Sequence, residues 1–272
     1  MSNLSTRILS AAVLVPFVIF LVFFSSDFVL FVSLSLISSL ACFEFTSISF
    51  SHRFLFHRLF ISLLSGLLTF LFSFSFVTSN FLYLFLFLGF CSLIFPLLFM
   101  FLSLSFDTLL NFVSFSFFGV FYCGVLLGFL SLTSLFNPED GRYLIFMLLL
   151  GTFMGDTGAY AFGRTFGKHK LYPKLSPGKT WEGSFGGFLC TFLSLLIVKF
   201  TLLPHLSFLS LLILSFFLSL FCQLGDLSES FLKRSFSVKD SGRIIPGHGG
   251  ILDRIDALLF GAPIVFIFSL LR

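Results

Sequence analysis

The sequence predicts an all-α polytopic integral membrane protein of about nine transmembrane helices, with polar cytoplasmic loops forming the active site. Three observations predict this class. Of 272 residues, 57% are hydrophobic and 10% charged, with a mean hydropathy of +1.10; a soluble domain carries roughly 25% charged residues. The chain contains 48 Phe, more than a water-soluble fold of this length can hide. Its apolar runs approach the ~20 residues that a helix needs to cross a hydrocarbon core. Within that core each backbone N–H and C=O must be satisfied inside its own segment, which selects helix.

The candidate spans in order are Ile8–Phe24, Phe28–Ile48, Leu59–Val77, Phe81–Leu102, Phe115–Phe136, Tyr143–Phe162, Ser184–Phe200, Leu206–Leu224 and Ile255–Leu271. The first follows Arg7 and has no small-x-small cleavage site behind it, so it reads as an uncleaved helix and not a signal peptide. Polar breaks at Ser25-Ser26-Asp27, His52 to Arg58, Thr78-Ser79-Asn80 and Asn137 to Arg142 separate the others. Asp107 and Asn111 blur the start of the fifth. Phe and Ser recur through the first half without a period, as apolar filler. Residues 1–142 therefore read as an N-terminal transmembrane scaffold. Residues 143–272 read as a C-terminal catalytic transmembrane region, holding nearly all the polar content unusual for a bilayer.

Orientation follows from Lys and Arg. With the N-terminus in the cytoplasm, thirteen of the sixteen basic residues fall inside, on Arg7, Arg53, Arg58 and the loops Arg164–Lys179 and Lys233–Arg254. The outer loops then carry Asp27, Glu139 and Asp140. Nine spans leave the C-terminus outside. The net charge of +4 suits an anionic surface or substrate. Cys42, Cys91, Cys123, Cys190 and Cys222 lie in apolar runs with no CxxC pair, as packing residues.

Two polar constellations carry the chemistry. In the first, Gly155 to Gly187, Asp156 lies inside an apolar span, where a carboxylate is a functional residue by default. The following loop sets Arg164, Lys168, Lys170, Lys174 and Lys179 against Glu182 alone. That loop suits lipid headgroups or phosphate. Ser176-Pro177-Gly178-Lys179-Thr180 resembles a phosphate-binding loop. Yet residue 173 is Pro where a Gly is needed, and the surroundings read as membrane helix and not strand–loop–helix. Ala159 with Gly163, Gly183 with Gly187 and Gly124 with Gly128 have the spacing of close helix packing.

The second constellation, Gly225 to Asp256, packs five carboxylates, five Lys or Arg and one His between apolar runs. Asp226 with Glu229, and Asp253 with Asp256, are three apart and share a helix face. Such pairs repel unless a cation sits between them or one is protonated. Mg²⁺ takes one or two carboxylates plus substrate phosphate, and Asp226 and Asp253, then Glu229 and Asp256, are the candidate metal ligands. Lys233, Arg234, Lys239 and Arg243 suit a polyphosphate. Pro246 to Gly250 form a backbone-exposed turn able to approach an anion, with His248 a base, a phosphate donor or a supporting group.

These residues resemble the phosphatidate cytidylyltransferase (CDP-diacylglycerol synthase) family. Its 27-residue signature is met by Ser230, Lys233-Arg234, Lys239-Asp240, Gly242, Pro246, His248-Gly249-Gly250 and Asp253-Arg254-Ile255-Asp256. Asp156, Ala159-Tyr160, Gly163-Arg164, Gly167-Lys168, Ser176-Pro177 and Lys179 to Gly183 extend the likeness upstream. Ser237 departs from it, standing where Gly is expected. The resemblance implies that CTP and phosphatidate react with Mg²⁺ to give CDP-diacylglycerol and pyrophosphate. The enzyme would be multi-pass in the bacterial inner membrane, a homodimer, with no nucleic-acid partner. Asp226, Asp253, Asp256, Lys239 and His248 would be catalytic; Lys179, Lys233, Arg234, Asp240, Arg254 and Asp156 would bind around the substrates. Alternative readings are a CTP-dependent polyprenol or lipid kinase, whose acceptor hydroxyl would need a base, and an ion-coupled transporter using Asp156 and the later acids as a relay.

Overall fold

The computed structural model describes residues 3–50, 54–100, 105–242, 244–245, 247 and 249–271. Among the described residues the architecture is helical apart from one two-stranded hairpin and the isolated bridge of Ile245 with Gly249. Helices α1 (Asn3–Phe23), α2 (Asp27–Ser49), α3 (Leu55–Val77), α4 (Leu82–Met100) and α5 (Phe106–Val120) are followed by a π-helical turn, Phe121–Val125, and α6 (Leu126–Phe136). Then come α7 (Gly141–Phe166), strands β1 (Lys170–Tyr172) and β2 (Ser176–Thr180), α8 (Trp181–Thr201), α9 (Phe208–Ser235) and α10 (Leu252–Leu270).

Among the described residues six helices are long and apolar enough to cross a membrane: Asp27–Ser49, Leu55–Val77, Phe106–Phe136, Gly141–Phe166, Trp181–Thr201 and Phe208–Ser235. The other three predicted spans fall on α1, α4 and α10. The apolar stretches of the first two are shorter, Leu9–Phe23 and Leu82–Leu97. α10 opens with Asp253, Arg254 and Asp256 and contains Pro263. Two boundaries differ from expectation. The fifth span begins at Phe106 and not Phe115: Ser105 stands extended before the helix with its hydroxyl 2.7 Å from that of Thr108, and Asp107 suits the positive end of the first turn. The eighth continues past Leu224 to Ser235, so Asp226, Glu229, Lys233 and Arg234 stand on helix.

The chain forms two compact units: Met1–Leu132 with Asp240–Asp253, and Thr133–Lys239 with Arg254–Arg272. In the first, serine hydroxyls donate to carbonyls one turn back, as Ser35 does to Phe31 (2.8 Å), Ser62 to Arg58 (2.6 Å) and Ser116 to Phe112 (2.6 Å). A serine can thus sit in an apolar helix without an orphaned donor. Others join helices: Ser38 hydrogen-bonds Ser65 at 2.8 Å, Ser73 bonds Ser131, and Thr69 donates to the Gly124 carbonyl at 3.0 Å beside the π turn. Some of the apparent filler is therefore interhelical adhesive.

In the second unit α7 and α8 pack backbone to backbone. A Cβ on Gly158 would lie 2.5 Å from Cys190 Sγ, one on Gly183 2.8 Å from the Ala159 carbonyl, and one on Gly186 2.3 Å from the Phe162 ring. The small-residue spacings read from the sequence thus mark a real helix contact.

Candidate active site

The second unit gathers one group of charged residues from α7, β2, α9 and α10. The antiparallel hairpin of β1 and β2 runs straight into α8. Residues 176–180 are therefore strand followed directly by helix, where the sequence reading expects membrane helix around them. No loop separates the two elements, so a phosphate-binding loop is still not formed. Thr180 caps α8, its Oγ1 accepting from Gly183 N at 3.1 Å. Glu182 in the first turn accepts from Lys168 N at 3.1 Å and His169 N at 3.3 Å, and meets His169 Nδ1 at 2.6 Å. These bonds tie the hairpin root to the helix start and so fix the direction of Lys179.

Lys179 Nζ lies 2.6 Å from Asp226 Oδ2 on α9. The contact is an ion pair, and an ammonium has three N–H donors, so Lys179 keeps donors beyond the one that meets Asp226. Asp156 on α7 stands within electrostatic range of Asp226, Lys179 and Arg254, and Asp256 on α10 within range of Asp226, Asp156 and Lys233. Gly225 makes this possible: a Cβ there would fall 2.5 Å from the Asp256 carbonyl, so α9 meets α10 at its backbone and Asp226 is drawn beside Asp256.

A cavity of about 530 Å³ opens on this group, lined by Asp156, Asp226, Arg164, Lys170, Lys179 and Gln223 among others. Gln223 escaped the sequence reading; its signal was an amide alone in an apolar run. Its Nε2 donates to the Ser184 carbonyl at 3.3 Å and to Ser219 Oγ at 3.0 Å. The Ser184 carbonyl can only accept, so the amide nitrogen faces it, and Gln223 also lines the cavity.

The remaining predicted residues take distinct places. Glu229 pairs with Lys233 at 2.5 Å, their side chains 2% and 14% exposed, so Asp226 and Glu229 have separate ammonium partners. Arg234 donates to the Val238 carbonyl at 3.3 Å, closing the end of α9. Ser237 has φ +57°; Val238 N donates to the Lys233 carbonyl at 2.9 Å and Ser237 N to the Arg234 carbonyl at 3.0 Å. This is a left-handed helix stop, which favours Gly. Lys239, Asp240 and Arg254 are exposed. Arg243, Pro246 and His248 lie outside the described residues.

In the first unit Asp253, at the start of α10, turns back on the preceding loop. Its carboxylate accepts from Ser241 N at 3.1 Å on both oxygens and from Gly250 N at 2.9 Å. Glu44 of α2 accepts from Ser241 Oγ and Leu252 N in the same loop.

Among the described residues no three His, Cys, Asp or Glu side chains come together as metal ligands, so no all-protein cage is built. Mg²⁺ usually keeps waters and takes one or two carboxylates with substrate phosphates. Asp226 with Asp256 or Asp156, beside a cavity large enough for a phosphate chain, fits that requirement.

A model of the cytidylyltransferase family matches residues 5–271. A phosphatidate cytidylyltransferase of Staphylococcus epidermidis is 46% identical over 157 residues, covering 56% of this chain and 60% of the relative. Those of Staphylococcus haemolyticus and Staphylococcus aureus are each 44% identical over 156 residues, with the same two coverages. The match thus spans 60% of the length of these curated relatives.

Proposed function

This chain belongs to the cytidylyltransferase family, and from that premise we propose that it joins CTP to phosphatidate, releasing pyrophosphate and forming CDP-diacylglycerol. The observation that carries the reading is the Lys179–Asp226 ion pair in the wall of a cavity that also presents Asp156, Arg164 and Lys170. A site built of both signs of charge suits a reaction between two polyanions, one of them held with a cation.

The nucleophile is a phosphate oxygen of phosphatidate. A phosphomonoester has its second pKa near 6, so at cytoplasmic pH it is mostly dianionic and needs no strong base. Attack is in line on the α-phosphorus of CTP; the new P–O bond forms as the bond to pyrophosphate breaks. Lys179 and the neighbouring Arg164 and Lys170 bind the phosphates and offset the charge that develops on the leaving group. Asp226 with Asp256 or Asp156 would hold Mg²⁺, and the ion would lend Lewis-acid neutralisation of phosphate oxygens. Glu229 keeps Lys233 directed along α9, while Lys239 and His248 would have the roles that the family likeness implies for them.

In this reading nine spans cross the inner membrane of a bacterium with the hairpin and the end of α9 on the cytoplasmic side, and two copies associate. The lipid phosphate reaches the cavity from the headgroup layer with its acyl chains still in the bilayer.

The test is incubation of the purified chain with phosphatidate, Mg²⁺ and CTP labelled at the α- or the γ-phosphate. Label from the α position in a lipid of CDP-diacylglycerol mass supports the reading. Label from the γ position in the lipid makes the protein a kinase, and no lipid labelling with either substrate overturns both.

A further inference from the structure

Glu44 is 2% exposed on α2 and forms no ion pair among the described residues. A buried carboxylate without a counter-charge is costly, so what it holds must be worth having. Its Oε2 accepts from Leu252 N at 2.8 Å and from Ser241 Oγ at 3.2 Å, residues 208 and 197 positions away along the chain. They stand at the two ends of one loop. Asp253 takes the N–H groups of Ser241 and Gly250, so Ser241 is held twice, by its N–H and by its hydroxyl. Glu44 Oε1 is buried with no hydrogen-bond partner among the described residues.

The loop is fitted around this side chain. A Cβ on Gly242 would lie 2.3 Å from Glu44 Oε1, and one on Gly250 2.4 Å from Glu44 Oε2. Gly247 and Gly249 have a different reason to be glycine, with φ of +77° and +85°. Two glycines of this segment thus serve the backbone, and two make room for a carboxylate supplied by the N-terminal half of the chain.

We propose that Glu44 is a positioning residue for the reaction: its carboxylate is the post that holds Ser241 and Leu252, and through Ser241 it sets the place of Asp253. The holding is done by hydrogen bonds to Oε2. Gln at this position can put its carbonyl oxygen in the place of Oε2 and its amide nitrogen where Oε1 has no partner, whereas Leu removes both bonds. The effect on turnover rests on the functional reading above; the effect on the loop does not.

The experiment compares the reconstituted full chain with its Glu44→Leu, Glu44→Gln and Ser241→Ala variants. It reads hydrogen exchange along residues 240–253 and the kcat and KM for CTP. Exchange reports local opening. Glu44→Leu is expected to speed exchange in this segment at least about tenfold, leaving α3 unchanged, and to lower kcat/KM about 100-fold; two lost buried bonds at about 1–1.5 kcal/mol each give changes of that order. Glu44→Gln should stay within about threefold of wild type on both readouts. The idea is overturned if Glu44→Leu leaves exchange of the segment unchanged, or if Gln is as damaging as Leu, which would assign the role to charge. Should Glu44→Leu not insert, Ser241→Ala decides, because it removes one of the same bonds from the loop side: faster exchange supports the proposal and unchanged exchange overturns it. A wild-type chain with no CTP turnover would sink the functional reading and leave the exchange result to judge Glu44.

Discussion

Lys179 Nζ and Asp226 Oδ2 are 2.6 Å apart, and this one ion pair fastens the strand that opens α8 to the end of α9 beyond its apolar stretch. The ammonium faces the cavity and keeps donors for another anion, while the carboxylate stands near those of Asp156 and Asp256. In the proposed function the pair holds the site in charge balance until polyphosphate and metal arrive.

Replacing Lys179 by Met is therefore expected to lower kcat/KM for CTP by roughly 10²–10³-fold, the usual loss when a donor to a developing oxyanion is removed. Lys179→Arg should recover part of it, as the charge persists but the reach changes. Steady-state kinetics on reconstituted protein checks this; wild-type kinetics in Lys179→Met would remove Lys179 from the site.

Asp226→Asn and Asp256→Asn should each reduce turnover at least about 10²-fold without preventing insertion, since each removes a carboxylate suited to Mg²⁺. Wild-type turnover should stop in excess chelator and return when Mg²⁺ is added. Product formation at graded free Mg²⁺ measures both. For Asp253→Asn a similar loss is expected, with faster exchange at Ser241 and Gly250, whose N–H groups its carboxylate accepts.

Gln223→Leu removes the amide that donates to the Ser184 carbonyl and Ser219. Each lost hydrogen bond costs about 0.5–1.5 kcal/mol. A lowered midpoint of thermal unfolding in detergent is expected, together with a fall of about tenfold in kcat/KM through the changed cavity wall. A stability change with unaltered kinetics would make Gln223 purely a packing residue.

Gly158→Val should destabilise the α7–α8 contact by about 1–3 kcal/mol or more, the range for overpacking, since its Cβ would meet Cys190 and the Gly186 carbonyl at 2.5–2.7 Å. Gly89→Ala is the control, with nothing within 4 Å of the added carbon. Unfolding midpoints of the two variants should diverge; equal midpoints would mean that this contact gives way easily.

Ser237→Gly should raise stability by about 1 kcal/mol, because Ser237 occupies φ +57° and a left-handed conformation costs an L-residue about 1–2 kcal/mol. The thermal midpoint should rise while kcat and KM stay the same.

Much of this protein was legible in its composition. Runs such as Leu59–Val77 and Leu206–Leu224 read as membrane helix, because hydrocarbon offers the backbone no other partner. Asp156 and Asp226 stood out because charge is rare there. Less legible were the helical extension of α9 to Ser235, the hairpin at Lys170–Thr180 and the amide of Gln223. Strand pairing, a continuing helix and a polar side chain in an apolar run all depend on neighbours that are distant in the chain.

By itself the sequence determined the all-α membrane class, six spans that fall on helices long and apolar enough to cross a membrane among the described residues, and the residues that carry unusual charge, since each follows from local solvation and local spacing. Only the tertiary structure decided partnership: that Lys179 meets Asp226, that Lys233 belongs to Glu229 and that Glu44 holds Ser241 and Leu252. Carboxylates read alike along a chain, and the groups that meet each one in space set its task.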